Sequence, residues 1–333
     1  MDNKPEVIDP SELLTLCMPT YNRVVNVCEA LEDIIPKIRP YNFRLIVVDN
    51  CSPDNTRKVV EAYQGLYDRL EYFRQDENKG YDINFETALK LAKTPYCWVI
   101  GDGNRLQAQN FPAIVKTLSE QMPDIYIVDE VHRALSSFPP KVYTDASDLL
   151  HDLGWHMTLL SSTIFSQKII QMGNFEKYRN THFLHLGVVF DSLARLDKFT
   201  AVWSGLDLIH GSMLPKGNSW NPGRVMEIFG GAWTELILSL PDNLSMEAKR
   251  YCIAFHGKKT RLFGKRHLKK QRAAGGLDYS IYKKYEKYIP YFAPGKRLRI
   301  LIYSFYPNFL NRYYWRNKRY IRKTGKPLFW DIQ

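Results

Sequence analysis

The feature that most constrains the fold is a ten-residue stretch, residues 96–105, in which an apolar run ends abruptly in Gly-Asp-Gly-Asn-Arg. A continuous apolar run is typical of a strand buried on both faces of a parallel sheet, and ligands of such sheets bind beyond the carboxyl ends of the strands. The pattern therefore predicts that Asp102 and Asn104 lie at a ligand-binding edge. Gly103 between them would let a ligand approach the backbone closely. An ordinary Asp-Gly turn after a strand is the alternative interpretation.

Apolar runs alternate with amphipathic segments through the first 130 residues, separated by short polar loops. Strand-helix alternation of this kind predicts a parallel sheet wound by right-handed crossovers. No Gly-x-Gly-x-x-Gly follows the first predicted strand, so a dinucleotide site of the NAD type is not indicated. The predicted strands are residues 13–18, 43–48, 70–74, a run around Trp98 and 125–129, and the predicted helices are a segment ending at residue 38 and residues 57–66 and 84–92.

Four motifs in this region together resemble the successive motifs of family-2 glycosyltransferases of the GT-A fold. They are Pro-Thr-Tyr-Asn-Arg at residues 19–23, Val-Val-Asp-Asn-Cys-Ser-Pro-Asp at 47–54, Asn-Lys-Gly at 78–80 with Asn84, and residues 98–105. The nearest subgroup resembles abequosyltransferases of bacterial O-antigen and capsule synthesis, which often have Gly-Asp-Asp-Asp-Arg here. The resemblance implies an α/β fold, with a Rossmann-like, mostly parallel sheet flanked by helices and a mainly helical, basic C-terminal extension.

A nucleotide-sugar donor is the ligand that this resemblance implies. Asp49 would then accept hydrogen bonds from the base, Thr20, Tyr21 and Arg23 would lie along the nucleotide, and Asp102 would meet the ribose and the metal-bridged diphosphate. The full set of expected donor-binding residues is Pro19, Thr20, Tyr21, Arg23, Asp49, Asn50, Gly80, Asn84, Asp102 and Gly103.

A divalent cation, Mg²⁺ or Mn²⁺, is the cofactor that the resemblance implies, with Asp102 and Asn104 as its ligands. The chain departs from the family pattern here, because Asn104 stands where a second carboxylate is usual. A neutral amide binds a hard cation less tightly than a carboxylate does. We therefore expect weak or conditional metal dependence.

The catalytic base is harder to identify from the sequence. Family members carry an acidic residue at a helix start, whereas this chain offers His185, then His182, and then Asp191. A helix-start histidine beside a diphosphate could have a pKa suited to removing a proton from the acceptor hydroxyl. Alternatively, the two histidines simply cap and pack the helix. The family implies a hexosyl-type transferase of the EC 2.4 class that inverts configuration by direct displacement.

Acceptor contacts are expected from aromatic residues in the middle of the chain. Residues 155–165 form a predicted strand that carries Trp155 and His156, and residues 204–220 form a predicted loop over the site. Trp220 in that loop could stack on a sugar ring. The alternative for this tryptophan is a packed aromatic side chain.

Charge is distributed very unevenly along the chain. Residues 249–333 contain 23 Lys and Arg but only 3 Asp and Glu, whereas the whole chain contains 46 and 35, so the preceding part has 23 against 32. Basic residues that alternate with aromatic and aliphatic ones suit the surface of an anionic membrane. We therefore predict a catalytic domain at 1–245 and a membrane-surface extension at 246–333. The alternative is a helical subdomain packed on the catalytic body with a solvated basic face.

The cysteine pattern and the hydropathy indicate a cytoplasmic protein. The five cysteines are scattered, without a Cys-x-x-Cys pair, which argues against a disulfide framework and a structural zinc. The N-terminus is acidic and polar, unlike a signal peptide, and no apolar run approaches the length of a membrane span. We expect a peripheral location on the inner face of the bacterial inner membrane.

The function that the resemblance implies is transfer of a sugar to a hydroxyl of a lipid-linked oligosaccharide in O-antigen or capsule synthesis. A nucleic-acid-binding protein using the basic aromatic tail is one alternative. No nucleic acid is expected as a partner, because the tail has no recognisable nucleic-acid motif whereas the N-terminal half has a set of nucleotide-sugar motifs. A catalytically degenerate scaffold, suggested by Gly103 and Asn104, is the other alternative.

Overall fold

The computed structural model of the chain describes residues 8–131, 133–211 and 221–307. Trp220 and the part of the basic tail from residue 308 onward lie outside these residues. The chain forms two compact units: an N-terminal unit of residues 1–216 and 240–249, and a C-terminal unit of residues 217–239 and 250–333. Residues 217–239 thus group with the C-terminal unit rather than with the residues that precede them.

A mixed sheet forms the centre of the N-terminal unit. Its strand order is β3-β2-β1-β4-β8-β6-β9-β5. Strand β7 is not part of this order and pairs with β9. The strands are β1 (Leu14–Thr20), β2 (Arg44–Asp49), β3 (Leu70–Arg74), β4 (Tyr96–Val99), β5 (Asn104–Leu106), β6 (Ile125–Glu130), β7 (Lys141–Tyr143), β8 (Thr163–Ser166) and β9 (Ala201–Gly211).

Helices flank this sheet and make up most of the described part of the C-terminal unit. A π-helix at Met226–Ala232 runs directly into α10. The helices are α1 (Pro10–Leu13), α2 (Val24–Ile38), α3 (Thr56–Gln64), α4 (Tyr81–Leu91), α5 (Phe111–Glu120), α6 (Ala146–Leu153), α7 (Gln167–Met172), α8 (Phe175–Tyr178), α9 (Leu184–Leu193), α10 (Trp233–Ser239), α11 (Met246–Lys259), α12 (Lys265–Ala273), α13 (Tyr279–Tyr285), α14 (Ile289–Phe292) and α15 (Arg297–Ser304).

The first four strands confirm the predicted parallel architecture. β1 pairs in parallel with β2 and β4, and β2 pairs in parallel with β3. Leu16, Cys17 and Met18 are fully buried, as expected for a strand covered on both faces. Because these strands run in the same direction, their carboxyl ends lie together at one edge of the sheet.

The second half of the sheet is mixed, because β6 and β9 pair in parallel whereas the remaining pairs are antiparallel. β8 runs antiparallel to both β4 and β6, and β5 and β7 run antiparallel to β9. Of the predicted strand at 155–165, only the last part is extended, because short 3-10 helices at His156–Thr158 and Leu160–Ser162 precede β8. Residues 204–211 of the predicted loop belong to β9.

The C-terminal unit has its own helical core, which confirms the predicted helical extension. Tyr282 and Tyr285 are buried within it, and the rings of Phe263 and Phe292 lie 4.3 Å apart. Gly231 of the π-helix lies against Tyr285, so closely that an added Cβ would come within 2.5 Å of its ring. Throughout the part of the chain that the structure describes, no helix combines the length and apolarity required to cross a membrane.

Candidate active site

The carboxyl edge of the parallel strands brings together polar residues from distant parts of the chain. Thr20 ends β1 and Asp49 ends β2, and these two residues are direct partners in the strand register. Asp102 follows β4, and its Oδ2 accepts a hydrogen bond of 2.8 Å from the Thr20 hydroxyl. The edge therefore joins residues that are 82 positions apart in the sequence.

Asp102 is a buried carboxylate held by two side chains. Arg23 Nη1 lies 3.2 Å from Asp102 Oδ1, and Thr20 donates to the other oxygen. Burial raises the pKa of Asp102, while the Arg23 charge and the Thr20 hydrogen bond act in the opposite direction. The Arg23 side chain is about a third exposed, so its guanidinium offers unused donors toward an anionic ligand.

Asp49 is fully buried and makes four hydrogen bonds at the end of β2. Its Oδ1 accepts from the Ser52 backbone N–H and hydroxyl, and its Oδ2 accepts from the Tyr72 hydroxyl at 2.6 Å and Arg74 Nη1 at 3.1 Å. A carboxylate has about four acceptor sites, so all are used. A nucleotide base that donates a hydrogen bond to Asp49 would therefore replace one of these donors or share a carboxylate oxygen with it.

Tyr72 and Arg74 both contact Asp49 and were not among the residues predicted from the sequence. They lie on β3, where Arg74 is the register partner of Asp49. The sequence pattern that could have identified them is Tyr-x-Arg at the end of a predicted strand, next to the predicted carboxylate. Since side chains on a strand alternate between faces, these two residues point to the same side of the sheet.

The loop before α4 is tied to the end of β2 by amide side chains. Asn50 Nδ2 donates to Asn78 Oδ1 at 2.8 Å, and Asn50 Oδ1 accepts from the Lys79 N–H. Gly80 has a φ of 81°, which favours glycine, and precedes the first turn of α4. Asn84 Nδ2 donates to Val48 O at 2.9 Å. Asn50, Gly80 and Asn84 therefore place the N-terminus of α4 beside this edge.

The motif at residues 19–23 interlocks with the motif at residues 47–54. The Asn22 backbone N–H donates to Ser52 Oγ, and Asp54 Oδ2 accepts from the Val24 N–H at the start of α2. Pro19 is half-buried within β1, whereas Tyr21 is exposed. Tyr21 and Arg23 are thus the members of this motif that can reach a ligand.

The oxygens expected to bind a metal are already engaged by protein donors. Asn104 Oδ1 accepts from Ser161 Oγ at 3.0 Å, and the same hydroxyl accepts from the Gly101 N–H. Both oxygens of Asp102 are held by Thr20 and Arg23. Among the residues that the structure describes, no group of three or more His, Cys, Asp and Glu side chains could hold a metal. These residues therefore do not fit a complete protein metal site.

Arg105 fixes the backbone of this turn and was also missed. Its buried guanidinium donates to Asn104 O at 2.7 Å and pairs with Glu29 of α2 at 2.6 Å. Gly101 leaves no room for a side chain in this turn, because an added Cβ would come within 2.9 Å of Asn104 Oδ1. The turn that carries Asp102 and Gly103 is therefore held on both sides, and Gly103 itself lies close to Arg23.

His185 has one nitrogen fixed and one without a hydrogen-bond partner. Its Nε2 lies 2.9 Å from Met157 O, and since a carbonyl only accepts, Nε2 carries the proton and Nδ1 keeps the lone pair. Nδ1 is buried and has no hydrogen-bond partner among the described residues. Burial lowers the pKa of His185 to about 4, so the ring is neutral at pH 7.

Two contacts connect His185 with the carboxyl edge of the parallel strands. Its ring packs on Phe85 of α4, with 6.0 Å between ring centres, next to Asn84. Met157, which fixes its tautomer, lies four residues before Ser161, which contacts Asn104. A neutral imidazole can accept a proton, but Nδ1 is buried and burial holds the pKa well below neutral, so the role of His185 as base stays a prediction.

The other two base candidates have different surroundings. His182 is exposed, and its φ of 66° places it in the left-handed region just before α9. Asp191 is buried and engaged by Lys177 at 2.8 Å, Arg195 at 3.1 Å and the Tyr178 hydroxyl at 2.9 Å. This cluster gives Asp191 a structural role between α8 and α9.

The two acceptor candidates that the structure describes are packed in the interior. Trp155 is almost fully buried, and its indole lies 4.7 Å from the Arg133 guanidinium. His156 is fully buried, with Nε2 at 2.8 Å from Val128 O, and its ring contacts Trp203. Neither offers an accessible face to a sugar, because both rings are covered by neighbouring side chains.

Two of the buried histidines, His156 and His185, make stability sensitive to acid. Burial lowers the pKa of both His156 and His185 to about 4, against about 6.5 in an unfolded chain. Below pH 6.5 the unfolded chain binds more protons, so we expect the free energy of unfolding to fall by roughly 1.4 kcal/mol per pH unit per histidine down to about pH 4. Urea unfolding between pH 7.5 and 4.5 measures this slope. An unchanged slope in His156→Gln would contradict the assignment.

Comparisons with known proteins agree on one family. The model of Glycosyl transferase family 2 matches residues 15–185. Abequosyltransferase RfbV of Salmonella typhimurium is 32% identical over 123 residues, which cover 35% of each chain. GalNAc(5)-diNAcBac-PP-undecaprenol beta-1,3-glucosyltransferase of Campylobacter jejuni is 27% identical over 117 residues, covering 34% of this chain and 37% of the relative. The match thus spans about a third of these relatives' length.

Solved structures confirm the GT-A fold class over nearly the whole chain. Residues 1–349 of S. aureus TarS in complex with UDP-GlcNAc superpose with a TM-score of 0.58 at 16% identity, covering 96% of this chain and 94% of that TarS segment. Mannosyltransferase PcManGT of Pyrobaculum calidifontis, in complex with GDP-Man and Mn²⁺, has a TM-score of 0.54 at 17% identity and covers 91% and 89%. At these identities the likeness concerns the fold alone.

Proposed function

The chain belongs to glycosyltransferase family 2, and from this premise we propose that it transfers a sugar from a nucleotide-sugar donor to a hydroxyl of a lipid-linked oligosaccharide. The product would be part of a bacterial surface polysaccharide, either O-antigen or capsule. The observation that carries the proposal is the cluster of Thr20, Arg23 and Asp102 beside Asp49 at the carboxyl edge of the sheet. A partly exposed guanidinium next to buried carboxylates suits a ligand with both a diphosphate and a base.

The relatives support the two substrate classes. RfbV is named for transfer of a sugar, and the Campylobacter jejuni relative is named for an acceptor linked to undecaprenol diphosphate. TarS and PcManGT were solved with UDP-GlcNAc and GDP-Man. By analogy, this chain would take a nucleotide-sugar and a lipid-linked acceptor. The hexosyl type of the transfer and its inverting outcome belong to the same proposal.

Within the site, His185 would remove the proton of the acceptor hydroxyl through Nδ1. Asp49 would accept a hydrogen bond from the base in place of the one from Tyr72 or Arg74, and Arg23 would hold the diphosphate. Catalysis would lie in residues 1–245, with residues 246–333 attached to the inner face of the inner membrane. No nucleic acid is expected to take part.

Thermal stabilisation by nucleotide-sugars tests the proposed function directly. A ligand that binds only the folded protein raises its apparent stability by RT ln(1 + [L]/Kd), or about 2.7 kcal/mol at a hundredfold excess over Kd. We expect at least one nucleotide-sugar from a panel of UDP, GDP, CDP and TDP sugars to raise the melting temperature, and the free sugars to have no effect. No shift with any member of the panel would contradict the proposed donor class.

Metal dependence should be weak in the natural chain and stronger after one substitution. Asn104→Asp places a second carboxylate beside Asp102, and a carboxylate is a better ligand for Mg²⁺ or Mn²⁺ than an amide. We expect a chelator to reduce transfer by the wild-type enzyme less than it reduces transfer by the Asn104→Asp variant. Calorimetric titration with Mn²⁺ in the presence of donor should show tighter binding by the variant. Equal Mn²⁺ affinities would contradict this assignment of Asn104.

A further inference from the structure

Helix α15 of the C-terminal unit presents an apolar face to solvent. Leu298, Ile302 and Phe305 are 69%, 58% and 61% exposed, although all three are large and hydrophobic. Their spacing of four and three residues places them along one side of the helix. Ile300 and Ser304, on the opposite side, are buried in the core of the unit. The helix therefore packs through one face and leaves a second apolar face uncovered by described residues.

An aromatic residue of α13 extends this face. Tyr279 is 48% exposed, and its ring stacks on Phe305 with 5.0 Å between the ring centres. On its other side Tyr279 contacts the buried Tyr282, which anchors it to the core. We call Tyr279, Leu298, Ile302 and Phe305 the apolar ridge. Side chains that expose about half or more of their surface protrude, so the ridge is suited to insertion into a partner rather than to receiving one.

Positive charge surrounds the apolar ridge. Arg299 is exposed on the same helix, and Lys269 lies 5.4 Å from the ring of Tyr306, next to Phe305. The acidic Glu286 nearby is neutralised by Lys283 and Arg297. Over residues 221–239 and 250–307, which are the described part of this unit, 16 Lys and Arg stand against 4 Asp and Glu.

We propose that the apolar ridge inserts into the headgroup boundary of an anionic membrane, with the surrounding lysines and arginines on the lipid phosphates. This inference rests on the proposed function, since a lipid-linked acceptor requires the enzyme to work at a bilayer. An interfacial helix lies in the membrane plane with its apolar face buried and its basic residues at headgroup level. Helix α15 has eight residues and is therefore about 12 Å long, which suits lying on the bilayer.

Charge favours a bilayer over a second copy of the chain as the partner. Two copies meeting through the ridge would bring two strongly basic surfaces together, and like charges repel. An anionic bilayer supplies the opposite charge, and it deforms around protruding side chains. Tyr279 suits this boundary because its ring is apolar and its hydroxyl is polar, and Phe305 adds apolar surface that can be buried.

Vesicle flotation of the full chain tests the proposal. The test variant is Leu298→Ser, Ile302→Ser and Phe305→Ser together, and the matched control is Leu66→Ser, Met122→Ser and Val142→Ser, three residues of the N-terminal unit that are each more than half exposed. With vesicles of 30% phosphatidylglycerol in phosphatidylcholine, we expect the test variant to bind at least about tenfold more weakly than wild type. The control should bind as wild type does.

Further measurements decide between the outcomes. Wild-type binding should fall when salt is raised from 0.05 to 0.5 M, because the charges on the headgroups are screened. Unchanged binding by the test variant, or wild-type binding to pure phosphatidylcholine that equals binding to anionic vesicles, would overturn the proposal. A wild-type dimer that the test variant converts to a monomer, with vesicle binding unchanged, would identify a second copy as the partner instead.

The test separates this inference from the proposed function. Circular dichroism and melting temperature establish that both triple variants are folded. Stabilisation by nucleotide-sugar depends on the donor-binding edge of the N-terminal unit, so it should be the same in wild type, test variant and control. Loss of vesicle binding with donor binding intact supports the apolar ridge. Absence of donor binding in the wild type would contradict the proposed function. The vesicle result would then still decide whether the apolar ridge binds an anionic membrane.

Discussion

Replacing Asp102 by asparagine is expected to abolish measurable transfer and to weaken donor binding about 10–100-fold, the range for loss of a charged hydrogen-bonding group. The carboxylate holds the Arg23 guanidinium at 3.2 Å and accepts the Thr20 hydroxyl. An amide has the same shape but no charge, so Arg23 would lose its anchor. Isothermal titration with donor measures the loss of affinity, and Asp68→Asn on an exposed loop is the matched control.

The titration with donor should also be carried out on a variant of Asp49, and there the replacement must keep the shape of the side chain. Truncation to alanine would leave Tyr72 and Arg74 without the acceptor that they share, and buried unsatisfied donors cost stability. Asp49→Asn preserves the shape, and we expect it also to abolish transfer. Wild-type donor affinity in both the Asp49→Asn and Asp102→Asn variants would show that the donor binds elsewhere.

Replacing His185 by glutamine is expected to lower kcat by about 10²–10⁴-fold, the usual contribution of a general base, with little change in the affinity for donor. A glutamine amide can still donate to Met157 O, but it has no basic nitrogen in place of Nδ1. The variant therefore separates loss of the base from loss of the local hydrogen bond. Steady-state kinetics with separate determination of kcat and KM measures the effect.

His156→Gln is the matched control, because His156 is equally buried and also bonds a backbone carbonyl through Nε2. It should retain normal turnover per folded molecule.

Since burial lowers the pKa of His185 to about 4, wild-type kcat should be constant near neutral pH and fall toward pH 4 as the ring is protonated. A double variant of His185 and His182 with near-normal turnover would place the base elsewhere. Asp191, held by two cations and a tyrosine, would not be the next candidate.

The sequence alone was sufficient to predict the parallel half of the sheet and the identity of its carboxyl edge. Strands β1, β2 and β4 are largely apolar runs that end in polar residues, and this pattern is local, so it can be seen without the fold. Asp49 and Asp102 follow such runs directly, and parallel pairing then requires that they lie at the same edge. The match of the four motifs to one family follows from the same local spacing.

Only the tertiary structure decided the rest of the sheet and the state of the site residues. The pairing of β8 with β4 and β6 joins short strands that have no local signal for their partners. Burial is a sum over contacts from distant segments, which is why Trp155 appeared to be available in the sequence and is packed in the fold. Likewise, the Ser161 hydroxyl that engages Asn104 is 57 residues away, and the carbonyl of Met157 decides which nitrogen of His185 is basic. These properties depend on neighbours in space, and neighbours in space are what a linear pattern does not specify.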